Sequence, residues 1–214
     1  MSDSALLAHD LARGVRLLAG ADEVGRASLA GPIIAAAVLF DLERLAGAAE
    51  LADLKDSKKL TPATLERLAK AVLVQAEAVS LVSVPASEIN RIGMKAANIL
   101  CLERALALLG ERPQLRLVDG QLALGPEALP HELLVRGDGR SATIAAASIL
   151  AKVTCDRLLA RLGERHPGYG FERNAGYGTP EHRAAVVKLG PTCEHRTSFK
   201  ARCFAEWRAA SGGS

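Results

Sequence analysis

The stretch "AGADEVGRASLAGP" at residues 19–32 joins the first two predicted strands of the chain. The apolar run Arg16–Ala21 leads into it and stops at the charged pair Asp22 and Glu23. After the turn-like segment from Gly25 comes Pro32–Phe40, which is rich in Ile and Val. This pattern predicts a β-hairpin, or at least two neighbouring strands, with two carboxylates at the end of the first strand.

Outward from this hairpin, strands and helices follow one another along the whole chain. Further strands are predicted over Glu77–Val84, Leu115–Val118 and Glu132–Arg136, and helices over 61–75, Lys95–Leu109, Thr143–Leu162, 180–190 and Phe199–Trp207. The first 14 residues form a loose or briefly helical lead-in. The order of the elements predicts an α/β fold, a mixed sheet with helices on its faces.

The length of 214 residues and a hydrophobic fraction of 49% are typical of a globular protein with a real core. We expect one structural unit, with residues 15–168 as the core and 169–210 as a helical extension packed on it. No apolar run reaches the roughly 18–20 residues of a membrane span, and the N-terminus does not resemble a signal peptide. The four cysteines form no C-x-x-C pair, so reduced thiols and a cytoplasmic location are expected.

The formal charge of +3 hides an asymmetry between the two parts of the chain. Residues 1–135 carry 14 Lys and Arg against 17 Asp and Glu, a balance of −3. Residues 136–214 carry 13 against 7, a balance of +6. A basic C-terminal third is compatible with a polyanionic partner and equally with a solvated, Arg-rich surface.

Carboxylates follow three of the predicted strands: Asp22 and Glu23 the first, Asp119 the fourth, and Asp138 the fifth. If these strand ends converge, mutual repulsion favours a hard divalent cation among the carboxylates. Taken singly, each acid is better explained as a turn former or a helix cap than as a metal ligand. Because neighbouring side chains of a strand point to opposite faces, Asp22 and Glu23 serve one metal only if the chain bends there.

Eight short motifs, in order along most of the chain, make the sequence resemble the ribonuclease HII family, the type 2 ribonucleases H. They are "AGADEVGRASLAGP" at 19–32, "LKDSKKL" at 54–60, "EIN" at 88–90, "LVDG" at 117–120, "GDGRSATIAAASILAKVTCD" at 137–156, "YGF" at 169–171, "GYGT" at 176–179 and "HRTSF" at 195–199. The resemblance implies a ribonuclease H-like fold, a five-stranded mixed sheet flanked by helices, with a helical C-terminal extension.

The resemblance also implies an activity and a substrate. The family cleaves the RNA strand of RNA/DNA hybrids as an endonuclease. It also nicks duplex DNA on the 5′ side of an embedded ribonucleotide, as ribonucleotide excision repair requires, and leaves 5′-phosphate and 3′-hydroxyl ends. The implied partners are therefore hybrid duplexes and DNA containing ribonucleotides, with no membrane, and a monomer is expected.

By motif, the catalytic and metal-binding acids are Asp22, Glu23, Asp119 and Asp138. Two Mn²⁺ or Mg²⁺ ions, roughly 3.5–4 Å apart, are expected at the scissile phosphate. We expect Asp22 to be the central ligand and Asp138 to hold the second ion or to orient the attacking water.

Substrate contacts also carry over by motif. A Gly-Arg-Gly turn of the family corresponds to Gly25, Arg26 and Ala27, and Tyr177 is expected to support the same ribonucleotide. Ala27 replaces the third Gly, and Ser28 replaces the usual Pro. A second departure is Asn174-Ala175, where the family commonly has His-Lys.

Three further contacts have competing interpretations. Lys58 is a phosphate contact or part of a solvated loop, and Ser141 binds a phosphate or caps a helix. His182, His195 and Arg196 line the substrate groove, or His182 packs as a surface-helix residue. The histidines show no zinc-ligand spacing.

Two alternative functions compete with that of the type 2 enzyme. A type 3 ribonuclease H carries an additional N-terminal domain, for which about 15 residues before the first strand leave no room. A hybrid-binding protein without catalysis is disfavoured because all four acids are present.

Overall fold

A computed structural model describes residues 5–54 and 60–211 of the chain. The strands are β1 Leu17–Val24, β2 Ile33–Asp41, β3 Ala78–Val84, β4 Leu115–Asp119 and β5 Glu132–Leu134. The α-helices are α1 Ala5–Leu11, α2 Leu42–Ala46, α3 Pro62–Gln75, α4 Ala86–Ile92, α5 Met94–Ala107, α6 Ala142–Arg165, α7 Phe171–Asn174, α8 Pro180–Leu189 and α9 Arg202–Ala210. Short 3₁₀ turns cover Ala49–Leu51 and Gly137–Gly139.

The strands form one five-stranded sheet in the order β3-β2-β1-β4-β5. The pair β1–β2 is antiparallel, and β1–β4 and β4–β5 are parallel, so the predicted mixed sheet is confirmed. Strand β1 runs three residues past its predicted end, because its pairing with β2 continues to Val24 opposite Ile34. Strand β5 ends before its predicted limit, and the left-handed φ of 54° at Arg136 turns the chain.

Helix α6 packs directly against β1 at Gly20. A Cβ atom on this glycine would lie 2.5 Å from the backbone nitrogen of Ile144 and from the carbonyl carbon of Thr143. Only a residue without a side chain allows the first turn of the helix to come this close to the strand. The contact fixes where the first turn of α6 crosses β1. The crossing point, Gly20, lies two residues before Asp22.

A Gly20→Ala substitution should therefore destabilise the fold by about 1–3 kcal/mol or more, because backbone atoms and not a flexible side chain have to move. Urea unfolding followed by circular dichroism measures the loss. Gly47→Ala is the matched control, since its φ is negative and its nearest neighbour, the Arg44 carbonyl oxygen, is 3.6 Å away. A Gly20→Ala variant as stable as this control would contradict the close-packing argument.

The N-terminal helix α1 contributes a buried cap to α6. The carboxylate of Asp10, fully buried, accepts hydrogen bonds from the Thr143 N–H at 2.9 Å, the Thr143 hydroxyl at 2.8 Å and the Ser141 hydroxyl at 3.0 Å. Ser141 in turn accepts from the Ile144 N–H at 3.2 Å and is itself fully buried. These bonds favour the helix-capping interpretation of Ser141 over a phosphate contact.

The contacts of the chain group into two compact units. Of the described residues, 5–24, 34–82 and 99–153 make up the first, here called the sheet unit. Residues 25–33, 83–98 and 154–211 make up the second, here called the C-terminal unit. This division differs from the predicted boundary near 168, because two earlier segments cluster with the C-terminal helices. No helix within the described ranges is long and apolar enough to span a bilayer.

Candidate active site

Asp22 and Asp119 stand side by side at the ends of two neighbouring parallel strands. The β1–β4 register pairs Ala21 with Val118, so the next position along both strands brings the two aspartates together. Residues at matched positions of neighbouring strands share a face of the sheet. Asp22 shares its face with Gly20, which α6 covers, and the Ser148 hydroxyl of that helix bonds to its carboxylate.

The Asp22 carboxylate lies in an environment that disfavours its charge. Its exposed fraction is 6%, and Oδ1 accepts the Glu23 N–H at 2.7 Å. Burial first, and then the charges of Glu23 and Asp119, raise the pKa of Asp22 well above its usual value. Hydrogen bonds from Ser148 and the Glu23 amide act in the opposite direction without cancelling this rise.

Asp138 is tied to the same strand end through the backbone of its neighbour. The Gly137 N–H donates to Asp119 Oδ1 at 2.5 Å, so the 3₁₀ turn that carries Asp138 is held against the end of β4. Asp138 is 8% exposed and therefore buried. A side chain at Gly137 would meet Ile144 at 2.5 Å and Asp119 at 3.2 Å, so this glycine permits the close approach.

Glu23 occupies a different position from the other three acids. Strand β1 pairs regularly with β2 as far as Val24, and the bend comes only at Gly25, where φ is 94°. The alternation of side chains therefore turns Glu23 away from the face of Asp22, although its charge still acts on Asp22. Within the described part of the chain, no three of the four acids bring oxygens within 4.8 Å of one another.

The chemistry of this group fits a hard divalent cation. Carboxylate oxygens are the ligands that Mg²⁺ and Mn²⁺ prefer. Burial and then the charges of Glu23 and Asp119 raise the pKa of Asp22, and a bound cation would relieve the repulsion among these carboxylates. The residues that would hold such ions are Asp22, Glu23, Asp119 and Asp138.

The turn that follows β1 is built around a buried arginine. Arg196 is fully buried, and its guanidinium donates from Nε to the Gly31 carbonyl at 2.9 Å and from Nη2 to the Pro32 carbonyl at 2.8 Å. Nη1 donates to the carbonyls of Gly25 and Arg26. Burial lowers the pKa of Arg196 to about 10, which keeps it charged at neutral pH. Arg196 thus supports the turn from within and does not line a groove.

The loop that carries Tyr177 packs on this same turn. Gly176 has a φ of 75°. Its carbonyl oxygen accepts hydrogen bonds from the Leu29 N–H at 2.8 Å and the Ala30 N–H at 3.2 Å. A Cβ on Gly176 would lie 2.3 Å from the Ala30 carbonyl oxygen. Tyr177 itself is 42% exposed. The C-terminal unit therefore brings together the predicted substrate contacts Gly25, Arg26, Ala27 and Tyr177, whereas Lys58 lies outside the described residues.

Departures from the family motif have different structural costs. Ala27 is exposed. Its φ is negative, since Arg136 and Ala175 are the non-glycine residues with a positive φ in the described part of the chain. The glycine requirement of the turn falls on Gly25 instead. Ser28 is buried and donates to the Ala175 carbonyl at 3.4 Å. Ala175 adopts φ 47°, which costs a non-glycine residue roughly 1 kcal/mol.

The histidines that were candidates for groove lining form a buried pair. His182 and His195 are 0% and 1% exposed, and their Nε2 atoms lie 3.1 Å apart. His182 Nδ1 bonds to the Tyr177 carbonyl oxygen at 2.8 Å, which anchors the backbone of the tyrosine loop. Burial first, and then the neighbouring His182, lower the pKa of His195 to about 4. Both rings are thus internal supports. The interpretation that they line a groove is wrong, and so is the interpretation of His182 as a surface-helix residue, because its ring is fully buried.

The fold and the acidic site together define a class. A group of carboxylates at the ends of adjacent strands of a mixed sheet fits the divalent-metal hydrolysis of phosphodiester bonds. Residues 19–202 match the model of a family described as ribonuclease HII. The chain is 52% identical over 183 residues to the ribonuclease HII of Rhodospirillum rubrum, covering 85% of this chain and 83% of that one. The chain belongs to the ribonuclease HII family and is a ribonuclease H, a hydrolase.

Solved structures support the fold at much lower identity. The ribonuclease H2 of Pyrococcus horikoshii OT3 superposes with a TM-score of 0.77 at 23% identity, covering 92% of this chain and all (100%) of that one. Bst-RNase HIII in complex with Mn²⁺ superposes with a TM-score of 0.76 at 22% identity, covering 98% of this chain and 74% of that one. The ribonuclease H-like fold expected from the motifs is confirmed, and family membership favours the type 2 enzyme over type 3.

Proposed function

We propose that this protein is a metal-dependent endoribonuclease that cleaves the RNA strand of RNA/DNA hybrids and nicks duplex DNA 5′ to embedded ribonucleotides. The products are 5′-phosphate and 3′-hydroxyl ends. The observation that carries the proposal is the pair of the buried Asp22 and the half-buried Asp119, which repel each other at adjacent strand ends, within a chain of the ribonuclease HII family.

The acids of the sheet unit hold two Mn²⁺ or Mg²⁺ ions with the substrate. When bound, such ions activate water and stabilise the charge that develops on the leaving 3′-oxygen. Asp22 lies at the centre of the group, where the charges of Glu23 and Asp119 both act on its carboxylate. Ser148 fixes its rotamer, and the Gly137 amide fixes the rotamer of Asp119. Asp138 binds the second ion or orients the attacking water.

The turn of Gly25, Arg26 and Ala27 reads the ribonucleotide through its backbone. Only a group that recognises the 2′-hydroxyl distinguishes RNA from DNA at a single position. Because Arg196 binds four carbonyls of the segment 25–32, the turn is held in one conformation before substrate arrives. Tyr177, exposed and on a loop bonded to the same segment, stacks on the sugar or base of that nucleotide.

A labelled duplex with one embedded ribonucleotide tests the proposal. With Mn²⁺ or Mg²⁺, we expect a single cut on the 5′ side of the ribonucleotide and a product end that carries a 5′-phosphate. EDTA should stop the reaction. Binding of the duplex without a cut under any metal would favour a hybrid-binding protein and overturn the proposal.

The unstrained backbone of Ala27 predicts that Ala27→Gly changes the rate of single-ribonucleotide cleavage by less than about threefold. A backbone N–H is present with either residue, and no positive φ at this position rewards glycine. Single-turnover rates on the one-ribonucleotide duplex measure the effect, with an all-RNA hybrid as the reference. A large gain on the first substrate alone would show that the native alanine impairs recognition.

A further inference from the structure

A second group of potential metal ligands lies in the C-terminal unit. Among the described residues, His166, Cys193 and Glu194 are the set of three whose ligand atoms all lie within 4.8 Å of one another. Cys193 and Glu194 are sequence neighbours, with Sγ and Oε1 3.9 Å apart. The informative member is His166, which comes from a different segment, directly after the end of α6.

The types of these ligands point to a different metal from that of the acidic site. A thiolate and an imidazole are ligands that Zn²⁺ accepts and that Mg²⁺ avoids. Tetrahedral ligand atoms that lie roughly 2.0–2.3 Å from a Zn²⁺ ion are roughly 3.3–3.8 Å from each other. Rotation of these side chains, which are exposed or half-buried, would bring ligand atoms that now lie within 4.8 Å of one another to that spacing.

The backbone holds both halves of this group in place. The His166 N–H donates to the Leu162 carbonyl at 2.8 Å, and the His166 ring meets Phe171 edge-on at 6.4 Å between centroids. On the other side, Thr192 Oγ1 accepts the Glu194 N–H at 3.2 Å, and the Glu194 carbonyl accepts the Gly31 N–H at 2.8 Å. Pre-positioned ligands lose little entropy when an ion binds.

We propose that His166, Cys193 and Glu194 form a zinc site, with water in the fourth position, that clips the end of α6 to the loop before His195. Binding releases the thiol proton of Cys193, and the thiolate then bonds to the ion. Because the same loop leads into Arg196, which supports the turn 25–32, an ion at this site stabilises the C-terminal unit where that turn is held.

Cobalt substitution tests the site independently of nuclease activity. With Co²⁺ as the probe, wild type should show a thiolate-to-cobalt charge-transfer band in the near ultraviolet, which oxygen ligands at the acids do not produce. Cys193→Ser should abolish the band, and His166→Ala should weaken binding at least tenfold. Excess Mg²⁺ should leave the band unchanged, and Asp22→Asn should retain it.

His131→Ala is the matched control, since it removes a histidine of the sheet unit and should bind Co²⁺ as wild type does. Zn²⁺ should also raise the melting temperature of wild type but not of Cys193→Ser. Absence of the band in wild type, its persistence in Cys193→Ser, or unchanged affinity in His166→Ala would each overturn the site. None of these outcomes bears on the proposed hydrolysis, whose metal ligands are the four carboxylates of the acidic site.

Discussion

Asp22→Asn is expected to lower the rate of hybrid cleavage by about a thousandfold or more, equivalent to roughly 4 kcal/mol of transition-state stabilisation. The amide keeps the shape of the carboxylate and can still accept the Ser148 hydrogen bond. What it removes is the negative charge of Asp22, on which the charges of both Glu23 and Asp119 act. Single-turnover cleavage with Mn²⁺ measures the loss.

The same substitution should make the metal-free fold more stable. The pKa of Asp22 is raised in the folded state, so folding is penalised as pH rises from the ordinary range of the carboxyl through the folded value. Asn carries no such penalty. With EDTA present, the variant should melt above wild type at pH 8, and the difference should shrink towards pH 4. Saturating Mn²⁺ should raise the melting temperature of wild type more than that of the variant.

Asp53→Asn is the control for both measurements, because Asp53 is an exposed surface residue paired with Arg67. It should cleave and melt as wild type does. Cleavage by Asp22→Asn at a near wild-type rate would remove Asp22 from the centre of the site. If the variant melts below wild type in EDTA, the negative charge of Asp22 is compensated by other groups in the wild-type fold.

The acids could be predicted from the sequence because the signal is local. Each apolar run that stops at a carboxylate places that carboxylate at a strand end, and the β1–β4 register then sets Asp22 beside Asp119. The sequence could not show that Glu23 lies on a regular stretch of β1. The length of regular strand depends on how β1 pairs with β2 and β4, and the residues of β1 alone do not determine that pairing.

The supports of the site escaped prediction for a different reason. Asp10 in the supposed lead-in and Arg196 in the C-terminal part are fully buried, although both residue types are typical of surfaces. Each is compensated by groups more than 100 residues away along the chain, which no periodicity reveals. The motif "HRTSF" includes Arg196. Its partners are four backbone carbonyls, however, and because every residue has a backbone carbonyl, the sequence does not identify which ones it binds.

Arg196→Ala is expected to destabilise the protein by about 3–5 kcal/mol. It leaves the buried carbonyls of Gly25, Gly31 and Pro32 and the part-buried carbonyl of Arg26 without their donor, and each buried loss costs of order 1 kcal/mol or more. Arg196→Lys should recover only part of the loss, because an ammonium cannot reproduce the planar fork that spans four acceptors. Urea unfolding of both variants should give free energies of unfolding that decrease from wild type to Arg196→Lys to Arg196→Ala.

The lysine variant also separates support of the turn from catalysis. If Arg196 positions the turn 25–32, Arg196→Lys should raise KM for the one-ribonucleotide duplex more than it lowers kcat, with Mn²⁺ binding at the acids unchanged. Arg202→Ala is the matched control: its side chain is 89% exposed and pairs with Glu206 at i,i+4, which is worth only about 0.3–0.5 kcal/mol. An Arg196→Ala variant as stable as this control would mean that the four carbonyls find other donors. A selective fall in kcat would mean that the arginine acts on the reacting groups rather than through the turn.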